Sequence, residues 1–436
     1  MQVAVIGGGF TGLACATLLA KGGADVVLYE KNDKLGGLAA GFQELTWQST
    51  LETYYHHWFK SDSHVFKFAK IWNAQEGMLF SRPSTVIQTE SNEFVPLDSA
   101  AALLKFPELN FFNKLRMGAA LAFLKVYWNW RKLEQVSAED WCQQFMGAEG
   151  FEKIWKPLLV GKFGERNASD VNMAWLWARL RCRTAELGTY QGGFDAFVKC
   201  AEAHLESAGV RIFKDAKKIT VDRTRDCWTV AALNHGIQEH DAVVVAASPL
   251  AFAQLVGRHA PEHVRSALGQ PSLGVQVVIL ALSQRLGEHY WYSLRREPPG
   301  QPFLAAIEHT NFVDARQYDN EHLVYFAKYV PTHSEEWKQT DQQLVDLALL
   351  SGRLINPKFS EESLIRSKIF REEYAQPIMG LNASRFVPSI HVHGVPRLFH
   401  ASMAHVYPWD RGTNYALELG EKVAREVLKS KLNQRK

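Results

Sequence analysis

The chain opens on a short unbroken apolar run, Val3-Ala4-Val5-Ile6, that stops at Gly7-Gly8-Gly9. Such a run, bounded by glycine, predicts a strand buried on both faces, because neither face has to meet water. Leu13, Ala14, Ala16, Thr17 and Leu18 then predict a closely packed helix, ended at Gly22-Gly23. Val26-Val27-Leu28-Tyr29 predicts a second buried strand, closing on Glu30. Strand, helix and strand within about thirty residues make a βαβ unit.

Further along, Trp, Phe and Leu recur at three- and four-residue spacing from Phe66 to about Arg183, which predicts helices. Another helix is expected after Gly192-Gly193, through Phe197, Val198, Ala201 and Leu205. Strands follow at Val210 to Ile212, Ile219 to Val221, Trp228 to Val230 and Asp241 to Val245. Val275 to Leu282 and Leu323 to Tyr329 predict a second sheet, and Asp341 to Leu354 a helix. A last strand at Leu398 to Ala401 and a last helix at Tyr415 to Leu428 complete the pattern. Nucleotide-type elements thus stand at the start, middle and end of the chain. The expected fold class is α/β: a Rossmann-like domain from 1–60, 184–260 and 385–436, with an interleaved substrate domain. That second domain, a helical insertion plus mixed β-sheet, is expected from 61–183 and 261–384.

Composition narrows the functional classes. With 47% hydrophobic and 22% charged residues, the 436-residue chain is globular rather than fibrous or disordered. A formal charge of +3 gives no concentrated basic face, so no nucleic-acid partner is expected. The five cysteines, Cys15, Cys142, Cys182, Cys200 and Cys227, are scattered and never spaced as CxxC. That argues against a disulfide framework, a dithiol motif and a zinc site, so no metal is expected and a cytoplasmic location is. The longest apolar stretch, Met117 to Trp128, is broken by Lys125 and too short to span a bilayer. Phe106 to Trp130 interleaves aromatics with Lys114, Arg116 and Lys125, so a peripheral membrane contact stands beside simple burial as a reading.

The chemistry begins at Gly7-Gly8-Gly9-Phe10-Thr11-Gly12, a G-x-G-x-x-G placed directly after a strand and opening a helix. Gly7 allows the tight turn, Gly9 a close backbone approach to a pyrophosphate, and Gly12 close helix packing. Glu30, followed by Lys31, stands about twenty residues on, where a carboxylate accepts hydrogen bonds from ribose hydroxyls. It also disfavours a 2′-phosphate. Gly36-Gly37-Leu38 follows at short range, a second glycine pair that can lie against a diphosphate. Near the other end, Gly412-Thr413-Asn414 starts a helix whose N–H groups and positive dipole end favour negative charge.

These motifs resemble the FAD-dependent amine oxidase, protoporphyrinogen oxidase and phytoene desaturase superfamily. The likeness runs through Gly7, Gly9, Gly12, Glu30 and Gly36-Gly37, then Tyr190-Gln191-Gly192-Gly193-Phe194 and Ala216 to Ile219. It closes on Gly394 to Phe399 and on Tyr407-Pro408-Trp409-Asp410-Arg411-Gly412-Thr413-Asn414-Tyr415-Ala416. Bacterial protoporphyrinogen-oxidase-like proteins are similar also at Glu52 to His57, Glu308 to Asn311 and Tyr374 to Pro377. The resemblance implies FAD held by Gly7, Gly9, Phe10, Thr11, Gly12, Glu30, Lys31, Gly36, Gly37, Leu38, Ala216, Tyr407, Asp410, Thr413, Asn414 and Tyr415. With no cysteine beyond Cys227, the binding is expected to be non-covalent.

The same resemblance implies candidate catalytic residues over the flavin: His56, His57, Glu308, His309, Lys328 and Tyr374. Each has a plain structural reading beside it, as a half-buried strand end, a solvated loop or a lysine facing water. The expected activity is an oxidase or desaturase moving a hydride from a small or lipophilic substrate of the porphyrinogen, polyene or amine class. Two alternatives stay open: a redox-neutral isomerase like the UDP-galactopyranose mutases, with Arg179, Arg181 and Arg183 gripping a diphosphate, and a non-catalytic flavin-fold scaffold.

Overall fold

The computed structural model describes residues 1–224, 227–259, 271–296 and 301–432. Its first sheet has five parallel strands, in the order Arg211–Phe213, Asp25–Tyr29, Gln2–Ile6, Ala242–Ala246 and Leu398–Ala401. Side chains alternate along these strands, so each face buries its own core. Val3, Val5, Val26 and Leu28 pack under the helices Phe10–Lys21, Phe194–Ser207 and Thr413–Leu432. Ala4, Ile6, Val27 and Tyr29 pack on the other face, against the antiparallel strands Thr220–Arg223, Trp228–Ala232 and Gly236–His240. A continuous apolar run serves both faces at once.

The second sheet has seven strands, in the order Leu364–Pro377, Ser272–Leu282, His322–Val330, Ala305–Glu308, Trp291–Ser293, Thr85–Gln88 and Phe94–Pro96. Its alternation decides which residues reach the site. Val275, Val277, Tyr325, Ala327 and Tyr329 face the helical insertion, which includes Phe111–Val126, Ala138–Met146, Lys156–Phe163 and Met173–Cys182. Val278, Leu280, Val324 and Phe326 lie on the opposite face, under the helix Asp341–Ile355.

Two parts of the sequence reading need correction. The stretch expected to be helical from Phe66 to Arg183 also holds the strands Met78–Ser81, Thr85–Gln88 and Phe94–Pro96. The strand Leu364–Pro377, the longest of the second sheet, was not expected at all. Among the described residues it is an edge strand paired only with Ser272–Leu282, and its partly exposed positions include Arg366, Lys368, Arg371 and Glu372. Charged edges blunt unwanted pairing and hide the apolar alternation by which strands are read. The expected boundary at 260/261 lies outside the described residues. Among the described residues, no helix is long and apolar enough to cross a membrane.

Candidate functional site

The glycine turn is built as a cradle. The first helical hydrogen bond of Phe10–Lys21 runs from Leu13 N–H to Gly9 O, 2.9 Å. The N–H groups of Phe10, Thr11 and Gly12 precede it, and no side chain caps them. A methyl group at Gly12 would come 1.8 Å from the Gly7 carbonyl oxygen, so only glycine lets helix and turn close up. Gly36 N–H donates to Gly8 O at 2.8 Å, laying the second glycine pair on the first. The open side of Gly9 meets nothing nearer than Gly37 Cα at 3.7 Å. Phe10 turns its ring into the core against Phe194 and Phe197, leaving its backbone to the turn.

Glu30 is buried at the end of its strand. Its carboxylate accepts from Gly8 N–H at 2.7 Å and from Asn32 N–H at 2.9 Å. Ala216 N–H donates to Glu30 O at 2.8 Å, which places Ala216 beside it. Lys31 is exposed and Leu38 half-buried. Uncapped N–H groups, two apposed glycine turns and a buried acid together suit the diphosphate and ribose of a dinucleotide.

The closing segment meets this cradle through helix packing. Gly420 lies on the first turn of Phe10–Lys21, with its missing methyl 2.4 Å from Thr11 O. Thr413, seven residues earlier, is therefore within roughly 10 Å of that turn along the helix axis. Thr413 and Asn414 are both buried. Asn414 Oδ1 accepts from His64 N–H at 2.9 Å, so its side chain caps the helix Ser63–Ile71. Tyr407 likewise braces the insertion: its hydroxyl donates to Glu134 at 3.0 Å and accepts from Asn172 at 3.1 Å. Tyr415 stacks on Trp409, which stacks on Trp177, and its hydroxyl donates to Cys182 Sγ at 2.8 Å. The side chains of Tyr407, Asn414 and Tyr415 thus hold the walls of the site together.

Asp410 stands in a group of cations. It pairs with Arg179 and, at 3.8 Å, with Lys162. Burial alone would raise its carboxyl, but Lys162, Arg179 and Arg411 hold it well below the usual range. Arg411 donates to Ala375 O and to the Tyr329 hydroxyl.

His56 and His57 lie beside this group, joined to it through Tyr55. The Tyr55 ring makes edge contacts with Trp291 and Tyr325, and His57 packs on Trp291 and Phe59. His56 Nδ1 bonds Tyr54 O at 2.5 Å. Burial pushes His56 down to about 4, and burial with Arg183 nearby pushes His57 down to about 3. Both rings are neutral at pH 7. His57 Nδ1 is buried without a partner, a polar atom that awaits one.

Two of the other expected catalytic residues, Lys328 and Glu308, are carried on the opposite face of the second sheet. Lys328 has the opposite parity from Tyr329, so it bonds Gln339 on the far face, where burial lowers it to about 8. Glu308 pairs in register with Val324 on that same face. Its oxygens accept from Leu286 N–H at 3.1 Å and Gly287 N–H at 2.8 Å, fixing a loop. Tyr374 falls at the register shift of its strand, and burial raises its phenol to about 12. His309 bonds the Tyr318 hydroxyl at 2.9 Å and lines a cavity of about 350 Å³. Glu52, which burial raises to about 7, lines that cavity too.

Sequence reasoning missed Lys162 and Tyr329, and read Arg411 only as part of the closing motif. Lys162 is a lone charge in the apolar run Leu158 to Phe163, a signal that could have marked it.

Cradle, braced closing helix and second sheet define the class of the architecture: a dinucleotide-binding fold carrying a second, interleaved domain. The chain belongs to the flavin-containing amine oxidoreductase family, whose sequence profile matches residues 10–428. A 15-cis-phytoene desaturase of Synechococcus elongatus is 26% identical over 158 residues, 33% of either chain. A zeta-carotene desaturase of Zea mays is 25% identical over 179 residues, 36% of this chain and 31% of that one. The match thus spans about a third of the length of these relatives. Among solved structures, a proposed protoporphyrinogen oxidase from Exiguobacterium superposes with a TM-score of 0.76 at 16% identity, covering 98% of both chains. A reduced UDP-galactopyranose mutase gives 0.74 at 16%, covering 98% of this chain and 95% of the other. Cyclohexylamine oxidase from Brevibacterium oxydans gives 0.72 at 15%, covering 98% of both. At these identities the structural likeness speaks for the fold alone.

Proposed function

We propose that this protein holds FAD non-covalently and oxidises or desaturates a small or lipophilic organic molecule of the porphyrinogen, polyene or amine class. The packing of Gly420 on Thr11 carries the reading, because it brings the last helix against the first turn of the helix that follows the glycine turn. Phe10, Thr11 and Gly12 N–H groups and Glu30 would hold the diphosphate and ribose, and the helix start at Thr413 the ring end. When bound, FAD supplies hydride acceptance at its N5. The protein's own part is to orient substrate between Tyr55, His57 and Tyr329 and to exclude water. The neutral His57 offers Nδ1 as a hydrogen-bonding group toward substrate or water, since burial and the nearby guanidinium groups disfavour its protonated form.

The test is to purify the protein, record its visible spectrum and add candidate substrates without oxygen. Yellow protein bleached by one substrate class supports the reading. A protein that stays colourless with added FAD overturns it, and turnover only after prior reduction would favour the redox-neutral reading instead.

Peripheral membrane contact belongs to the same proposal. Phe111, Phe112, Val126 and Trp128 are exposed along one helix and its end, at 63%, 80%, 75% and 77%. Flotation with anionic vesicles tests it, and a protein left wholly at the bottom of the gradient overturns it.

A further inference from the structure

Charge is out of balance at one place inside this protein. Lys162, Arg179 and Arg411 converge on Asp410, with Arg183 adding its field. Among the described residues, Asp410 is the one carboxylate that pairs with any of them. Lys162 is the extreme member. Its side chain is 4% exposed and, among the described residues, makes no hydrogen bond, only the long contact to Asp410 and the faces of Trp175 and Tyr329. Desolvation and the neighbouring guanidinium groups push its ammonium well below the ordinary lysine range.

Buried cations without counter-charges are costly, and a protein that keeps them has a partner for them. Local packing does not supply one. Arg411 donates to Ala375 O and Tyr329; Arg183 is exposed at the rim, its carbonyl oxygen accepts from Lys125, and among the described residues its side chain has no hydrogen bond or ion pair. Among the described residues, Trp175 Nε1 and Gln376 Oε1, both in residues 2% exposed, are buried without partners beside Asp410 and Arg411. The void they line is about 10 Å³, room for one water and no more. The open side is elsewhere: Arg179 and Asp410 keep 16% and 17% of their side chains exposed, and Tyr55 and His57 face the guanidinium groups there.

We propose that Lys162, Arg179, Arg183 and Arg411 form an anion subsite that receives a carboxylate or phosphate group of the substrate. Asp410 is a positioning residue in it: it gathers Arg179 and Lys162 and keeps their mutual repulsion tolerable. The substrate is then amphipathic or charged rather than a plain hydrocarbon. Arrival of the anion also favours the ammonium form of Lys162, so binding takes up protons when the pH lies above the unliganded value of that lysine.

The inference rests on the flavin reading, since it sets the subsite next to the helix start at Thr413. The experiment uses the purified flavin-bound protein, titrated with inorganic phosphate and with citrate at constant ionic strength, chloride serving as control. Heat of binding and change in the flavin spectrum are the readouts. Saturable binding by either anion, weakened about tenfold or more in Arg179→Gln and in Arg183→Gln with flavin content intact, supports the subsite. Arg183→Gln is the safer variant, because that side chain holds nothing else in place.

No saturable binding, or unchanged affinity in both variants, overturns it. Loss of flavin together with loss of anion binding in both variants assigns the cations to the cofactor and also overturns it. Anion binding by a protein that never holds flavin would keep the subsite and sink the flavin reading instead.

Discussion

Gly420 lies against Thr11 so closely that a methyl group on its Cα would come 2.4 Å from the Thr11 carbonyl oxygen and 2.7 Å from the Ala14 methyl. Gly420→Ala must therefore move the last helix off the first. Overpacking of this kind costs about 1–3 kcal/mol, and the movement also opens the groove. The expected result is a lower melting temperature and a reduced flavin-to-protein absorbance ratio. Unchanged values for both would show that the two helices do not set the groove.

Glu30 receives two backbone N–H groups, from Gly8 and Asn32. Glu30→Gln keeps an oxygen acceptor and loses the charge. Hydrogen bonds to a charged group are worth about 1.5–3 kcal/mol, so flavin affinity should weaken roughly 10- to 100-fold. Fluorescence titration of the apoprotein with FAD measures this. Equal affinity for the two proteins would take Glu30 out of the cradle.

The pattern of cysteines led to non-covalent binding by their absence near the closing motif, yet folding brings Cys182 to Tyr415. Burial raises the Cys182 thiol, which keeps it from acting as a nucleophile at neutral pH. Acid precipitation should release all of the flavin into the supernatant, and Cys182→Ser should retain full flavin content. Yellow colour left in the washed pellet would contradict this.

Six histidines are held neutral by burial: His56, His240, His309 and His405 at about 4, His57 and His400 at about 3. Unfolded, each binds a proton near 6.5, so the stability they contribute is complete above that pH and is lost as pH falls toward 4. Glu52 and Glu308, raised to about 7, and Asp62, raised to about 6, act in the opposite sense: burial favours their protonated forms, and that contribution is lost as pH rises. Six outweigh three between about pH 4.5 and 6.5. The denaturation midpoint should therefore fall as pH is lowered from 7 to 5. A midpoint that rises over that range would mean the carboxyls dominate.

The glycine turn, the acid after the second strand and the closing helix were readable because their chemistry is local: a strand must end and a helix begin within a few residues. The substrate side was not readable in the same way. Lys328 and Tyr329 are neighbours in sequence, and only the register of their strand decides that Tyr329 meets Arg411 while Lys328 meets Gln339. A one-residue step flips a side chain to the other face, and no pattern within Leu323 to Val330 marks which face is the site. Asn414 and Tyr407 were legible as residues of the closing motif. Their bonds to His64 and Glu134 came from the insertion, whose packing no short motif encodes.

The groove needs both termini of the chain. Strand Gln2–Ile6 and the turn after it are made well before Leu398–Ala401 and Thr413–Leu432. At ordinary synthesis speeds, on the order of a minute or less separates them on the ribosome. During that interval Leu13, Ala14 and their neighbours present an apolar stripe with no lid, a target for chaperones or for a neighbouring nascent chain. A polypeptide that stops short of Thr413 carries the first half of a clamp and nothing to close it.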